Sequence, residues 1–169
     1  MQLLHIKGRA VKRAVWEKSK EGFGGILMSC RDKISTNFAP SHSMNLPLIG
    51  QEVPLPKIKE ICEHYRLVEL WQKIERDPPQ RPFKSDGCTG WVDAWKGISI
   101  YSAGFLHDLK YWAGYPGEDV SRLIADAELM IDVARLLNST GMAETMFAGV
   151  RVGGNEKLNT PFSWGFGRR

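Results

Sequence analysis

The chain has 169 residues, enough for one domain with a real core. Hydrophobic residues make up 43% and charged residues 25%, an ordinary globular balance rather than that of a disordered chain. The net charge of +4 sets 23 Lys plus Arg against 19 Asp plus Glu. That excess favours anionic surfaces but is too small to mark a nucleic-acid binder, so no nucleic-acid partner is expected.

Cys30, Cys62 and Cys88 are odd in number and widely spaced, which argues for reduced thiols over a disulfide framework. No CxxC or Cys/His zinc spacing is present. The first residues, Met1 to Lys7, hold no apolar h-region, and no apolar run approaches the roughly 18 residues that span a bilayer. The expectation is a soluble chain without a signal peptide, cytoplasmic as synthesised, with delivery by a secretion apparatus or a phage particle left open.

In chain order, Lys7, Arg9, Lys12, Arg13, Lys18 and Lys20 form a basic run, read as a solvated helix face. A short helix is expected over Ala10–Lys20, ended by Gly22-Phe23-Gly24-Gly25. Residues 36–57 read as loop, because Pro47, Pro54 and Pro56 interrupt any regular element. From Lys57 to Arg76 an apolar stripe through Ile58, Ile61, Cys62, Tyr65, Val68, Trp71 and Ile74 predicts one amphipathic helix, stopped by Pro78-Pro79. Residues 1–79 thus read as a basic, helical extension. Residues 80–169 read as a helical core with an aromatic tail, and the two as one compact unit.

Within that core, Phe83–Lys96 reads as a loop bearing Gly87 and Gly90, and Ile98–Trp112 as a helix. Gly114-Tyr115-Pro116-Gly117 is a turn. Glu118 and Asp119 open a long helix to about Leu137, with Val120, Leu123, Ile124, Ala127, Ile131, Ala134 and Leu137 on its apolar side. Asn138 to Gly141 breaks it, Met142–Val150 is a further short helix, and the glycine-rich tail from Pro161 to Gly167 wraps the core. The fold class expected is mainly α, with an antiparallel helix pair and little or no sheet.

The chemistry concentrates in residues 86–132. Asp86-Gly87-Cys88 opens the loop, His107-Asp108 lies on one helix with Tyr111 one turn on, and Asp126 lies on the next. Neighbouring helical residues point about 100° apart, so His107 and Asp108 face different ways while Tyr111 shares the face of His107. The short turn makes the two helices antiparallel neighbours, which brings Asp126 within range of His107. A carboxylate beside a histidine fixes its tautomer and stabilises the imidazolium. Asp86, Asp108 and loop carbonyls are hard oxygen donors suited to Ca²⁺ rather than Zn²⁺. Taken singly, each residue has a plainer reading: Asp126 as a surface charge paired with Arg122, Cys88 as a small buried residue, and Trp91, Trp95 and Trp112 as packing or as an interfacial belt. His5, His42 and His64 carry no convergent motif.

Asp86-Gly87-Cys88-Thr89-Gly90, His107-Asp108-Leu109-Lys110-Tyr111 and Ala125-Asp126 with Asp132 beyond resemble the short bacterial and fungal branch of the phospholipase A2 superfamily. Small uncharacterised bacterial and phage proteins have a similar arrangement, with a stretch like Gly149-Val150-Arg151-Val152-Gly153-Gly154 and a Trp164-Gly165-Phe166-Gly167 tail. The resemblance implies a calcium-dependent ester hydrolase acting on membrane phospholipid. His107 would activate water, Asp126 would orient His107, and Tyr111 would support Asp126. Asp86, the Gly87 carbonyl and Asp108 would hold Ca²⁺. Two departures stand out. The positions where secreted members carry cysteines before the His-Asp pair are Ala103, Gly104 and Phe105, and the loop holds an inserted Trp91-Val92-Asp93-Ala94-Trp95 in which Asp93 is a candidate extra ligand. Two rival readings are a non-enzymatic structural or adaptor component of a virion, tail or secretion assembly, and a metal-assisted hydrolase of a peptide or cell-wall bond.

Overall fold

The computed structural model describes residues 44–88, 94–154 and 166–167. The expected helix over Ala10–Lys20, the insertion from Trp91 to Asp93 and most of the aromatic tail lie outside them. The described chain is mainly helical, with five helices and two small two-stranded sheets. Among the described residues no helix is long and apolar enough to cross a membrane.

Strand β1 (Glu52–Val53) is followed at once by helix α1 (Leu55–His64). The prolines near residue 55 do not keep this stretch as loop. Pro54 is the extended residue that caps α1, and Pro56 sits in its first turn, where a missing N–H costs nothing. The single helix expected over Lys57–Arg76 is two. Arg66 takes a φ of 55°, the Leu67 N–H donates to the Cys62 carbonyl at 2.7 Å, and α2 (Val68–Arg76) starts afresh. The apolar period runs through the break, since Tyr65 and Ile74 are both buried, and so the stripe concealed it.

β1 pairs antiparallel with β2 (Phe83–Lys84), Val53 against Phe83 and Glu52 against Lys84. The inward pair is buried and the outward pair is exposed, the alternation of a half-buried sheet. A second ribbon, β3 (Ala94–Trp95) with β4 (Ile98–Ser99), turns through Lys96 and Gly97 at φ of 50° and 80°. Two consecutive positive φ values are those of a type I′ turn, whose twist suits a hairpin. The loop expected over Phe83–Lys96 therefore holds two short strands, and the helix expected from Ile98 starts three residues later.

That helix, α3 (Tyr101–Ala113), is the axis of the fold. Phe105, Leu106, Leu109 and Ala113 join Ile58, Ile61, Cys62, Ile74 and Phe83 in one apolar cluster, with the Phe83 and Phe105 rings edge to face at 5.3 Å. Residues on both sides of position 79 thus share a core. Trp112 packs on Phe83 and donates its indole N–H to the Arg81 carbonyl at 2.7 Å. On its other side Ala103, with Ile100 just before the helix, joins Leu129, Val133, Ala143 and Met146 of α4 (Asp119–Leu137) and α5 (Thr140–Gly153). A helix covered on both sides in this way shows no single apolar stripe.

α4 runs antiparallel to α3, since His107 meets Asp126 while Tyr111 meets Arg122. Its buried face is the expected one only in part: Ala127 is buried, and Ala134 and Leu137 pack against the core. Val120 is 67% exposed, and the inward positions include Arg122, Ala125, Asp126, Leu129 and Val133. A strong polar cluster has displaced part of the apolar stripe. Asn138, in the left-handed conformation, ends α4 and turns the chain into α5, which begins two residues before and ends three after the Met142–Val150 expected.

Candidate functional site

The loop from Ser85 to Cys88 lies against α3 because α3 carries a glycine there. A Cβ on Gly104 would stand 2.8 Å from the Cys88 Sγ and 3.0 Å from the Gly87 carbonyl oxygen. Gly87 itself has a φ of 78°, which glycine adopts without strain. Gly104 is one turn before Asp108, so the loop carbonyl and the Asp108 side chain share a helix face. A Cβ-to-Sγ separation of about 3 Å is also close to what an S–S bond imposes. Gly104→Ala is therefore expected to lower stability by about 1–3 kcal/mol through overpacking. Gly104→Cys, once oxidised, is expected to bridge to Cys88 and regain stability, since closing a loop of this length contributes about 3 kcal/mol in the chain-entropy account. Urea unfolding with and without reductant measures both. A Gly104→Cys protein that stays reduced under oxidising conditions, or an alanine variant as stable as the parent, contradicts the close approach.

Ser85, which the sequence reading passed over, organises the loop end. Its hydroxyl donates to Asp108 Oδ2 at 2.6 Å and accepts the Gly87 N–H at 3.1 Å. The Ser85 carbonyl is fixed in turn by the Gly50 N–H at 2.8 Å, which continues the β1–β2 pairing. Asp108 keeps 21% side-chain exposure, and its Oδ1 lies 3.8 Å from His107 Nδ1, too far for a direct hydrogen bond. Burial pushes the Asp108 carboxyl above its ordinary range, and the charge of exposed Asp86 adds to this against the opposing pull of His107 and Ser85. Asp108 feels the charge of Asp86 beside a backbone carbonyl, oxygen donors of the kind a hard divalent cation takes. Among the described residues no cluster of three or more His, Cys, Asp or Glu side chains converges. Such a cation would rely on Asp86, Asp108, main-chain oxygens such as that of Gly87, and water.

The other ring edge of His107 faces α4. Its Nε2 lies 2.9 Å from Asp126 Oδ1, and the Tyr111 hydroxyl donates to the same oxygen at 2.6 Å. Asp126 is fully buried, not the surface charge that it would be alone. Arg122, expected as its partner one turn earlier, stands off at 3.9 Å. Its Nε donates to the Tyr111 hydroxyl at 3.2 Å, and its far nitrogen donates to the carbonyls of Val150 and Arg151 at 3.3 and 2.6 Å. The close cation is Arg151, at the end of α5, whose Nη1 reaches Asp126 Oδ2 at 2.7 Å. Arg151 received no role in the sequence reading. The signal that points to it is physical: a buried carboxylate needs both its oxygens satisfied, and the expected helix pair supplied partners for one.

For His107 burial favours the neutral ring, but the neighbouring Asp108 and Asp126 carboxylates outweigh it and hold the imidazole above its ordinary range. Tyr111 is pushed strongly upward by burial and by Asp126, so its hydroxyl remains a donor. Phe166 and Gly167 lie against Tyr111 on its far side. The Phe166 ring stands edge to face with Tyr111 at 4.9 Å, in space that Gly114 leaves by lacking a side chain, and the Gly167 N–H donates to the Tyr111 carbonyl at 3.0 Å.

No family model, curated protein or solved structure matches this chain.

His107, Tyr111 and Asp126 thus meet in one buried network across α3 and α4. Asp108 and Ser85 meet across α3 and the loop. The charge of Asp86 acts on Asp108, the Gly87 carbonyl lies against Gly104 one turn before Asp108, and Asp93 lies outside the described residues.

Proposed function

We propose that the protein is a calcium-dependent carboxylic ester hydrolase of phospholipase A2 type, acting on membrane glycerophospholipid. The observation that carries the reading is the two-sided setting of His107: Nε2 against buried Asp126, Nδ1 toward Asp108. With Nε2–H donated to Asp126, the Nδ1 lone pair is left as the base. His107 takes a proton from water as the water oxygen attacks the ester carbonyl carbon. The imidazolium is stabilised by Asp126, and its proton passes to the alkoxide leaving group as the tetrahedral intermediate collapses. Tyr111 holds Asp126 in place, and the burial of that carboxylate strengthens the pair. Ca²⁺ would be held by Asp108, Asp86 and the Gly87 carbonyl, where it supplies Lewis-acid stabilisation of charge on the ester oxygen. A mild basic excess suits an anionic bilayer surface.

Calcium dependence tests the reading. Fatty-acid release from phosphatidylglycerol vesicles is expected with Ca²⁺ and to fall to background in EGTA. Asp108→Asn is expected to lose calcium binding by calorimetry and to lose release, with helical circular dichroism unchanged. Full activity in EGTA, or in Asp108→Asn, contradicts it.

A further inference from the structure

The two oxygens of Asp126 have different partners. Oδ1 serves His107 at 2.9 Å and Tyr111 at 2.6 Å, while Oδ2 takes Arg151 Nη1 at 2.7 Å. The terminal torsion of an aspartate is a broad, roughly two-fold rotor, so bonds at one oxygen alone leave its plane loosely set. A guanidinium on the second oxygen fixes that plane, and its planar array of donors is better suited to this than a point charge. The placement of Arg151 is itself controlled. Arg122 grips the carbonyls of Val150 and Arg151 in the last turn of α5, where a cation also opposes the helix dipole. The same Arg122 donates to the Tyr111 hydroxyl at 3.2 Å. Tyr111, Asp126, Arg151 and Arg122 therefore close a ring through α3, α4 and α5. His107 is its outward branch.

We propose that Arg151 is a positioning residue for the His107–Asp126 pair: by holding Oδ2 it aims Oδ1 at Nε2, fixing the tautomer that leaves Nδ1 as the base. This rests on the hydrolase reading above, but Arg151 lies outside the motifs between Asp86 and Asp132 that carry the phospholipase A2 resemblance. With Arg151 gone, a buried oxygen loses its nearest donor. The carboxylate then turns toward Arg122 or shares its oxygens differently, and the line to Nε2 is lost.

The test uses the full chain carrying Arg151→Gln, with two readouts. The first is the ¹⁵N-edited NMR signature of the His107 ring. The parent is expected to show a protected Nε2–H tautomer, and Arg151→Gln a mixed or solvent-exchanging ring. The second is vesicle hydrolysis, where kcat is expected to fall about 10- to 100-fold with KM unchanged, the range typical for loss of an outer partner. Arg151→Ala is expected to regain part of its kcat with millimolar guanidinium, because the Arg151 side chain is 30% exposed and its space opens toward solvent. A folded Arg151→Gln with the parent ring signature overturns the proposal. Should the glutamine variant not fold, Arg151→Lys decides: a loosened ring signature supports the proposal, and the parent signature overturns it. If the parent hydrolyses no ester, the hydrolase reading fails while the ring signature still judges Arg151.

Discussion

His107→Asn is expected to lower ester hydrolysis by about 10²- to 10⁴-fold, the range that a positioned general base contributes. The protein should still fold. Asparagine is too short to reach Asp126 Oδ1 as Nε2 does, but the Tyr111 and Arg151 bonds to that carboxylate do not depend on the ring. It lacks a basic nitrogen on the side of Asp108. Calcium binding should persist, because Asp86, Asp108 and the Gly87 carbonyl are untouched, so the variant separates cation from base. Initial rates of fatty-acid release at saturating lipid, beside calorimetric calcium titration, measure the two functions. A variant with the parent rate removes His107 from the chemistry. One that loses calcium as well shows that the two halves of the site are not separable.

Asp126→Ala is expected to cost about 3–5 kcal/mol of stability, the loss seen when one partner of a buried charged network is deleted. The size follows from surroundings rather than from one bond. Asp126 is fully buried, Arg122 is 7% exposed, and Arg151 and Arg122 approach the same oxygen at 2.7 and 3.9 Å. Without the carboxylate two guanidinium groups face each other with no anion between them. Val150 and Arg151 carbonyls compensate Arg122 in part. For a domain of this size the loss corresponds to a melting temperature lower by on the order of 10 °C. Were Asp126 a helix-surface charge, the same change would stay within about 0.5 kcal/mol. Urea unfolding distinguishes the two, and a near-neutral result contradicts the buried network.

Sequence spacing made the helix pair and its central contact legible. His107 and Tyr111 are one turn apart, a short turn follows, and Asp126 falls opposite them, so simple helical geometry brings the three together. What stayed hidden came from partners with no spacing rule. Arg151 reaches Asp126 from a third helix, and Ser85 reaches Asp108 from the end of a two-residue strand. The face of α4 is legible only in part for the same reason, with Ala127 inside and Val120 outside. Counting apolar residues places Val120 inside, whereas the chain buries Arg122 and Asp126 there because each has partners waiting. Gly104 shows a departure turned into structure. At one of the three positions before the His-Asp pair this chain has no side chain, and the Cys88 thiol and the Gly87 carbonyl occupy the space.

The most direct measurement is mass-spectrometric analysis of phosphatidylglycerol vesicles incubated with the protein and Ca²⁺. The account predicts free fatty acid and lysophospholipid appearing in equal amounts, from the parent protein and not from His107→Asn. Vesicles left intact by a folded, calcium-loaded protein would contradict it.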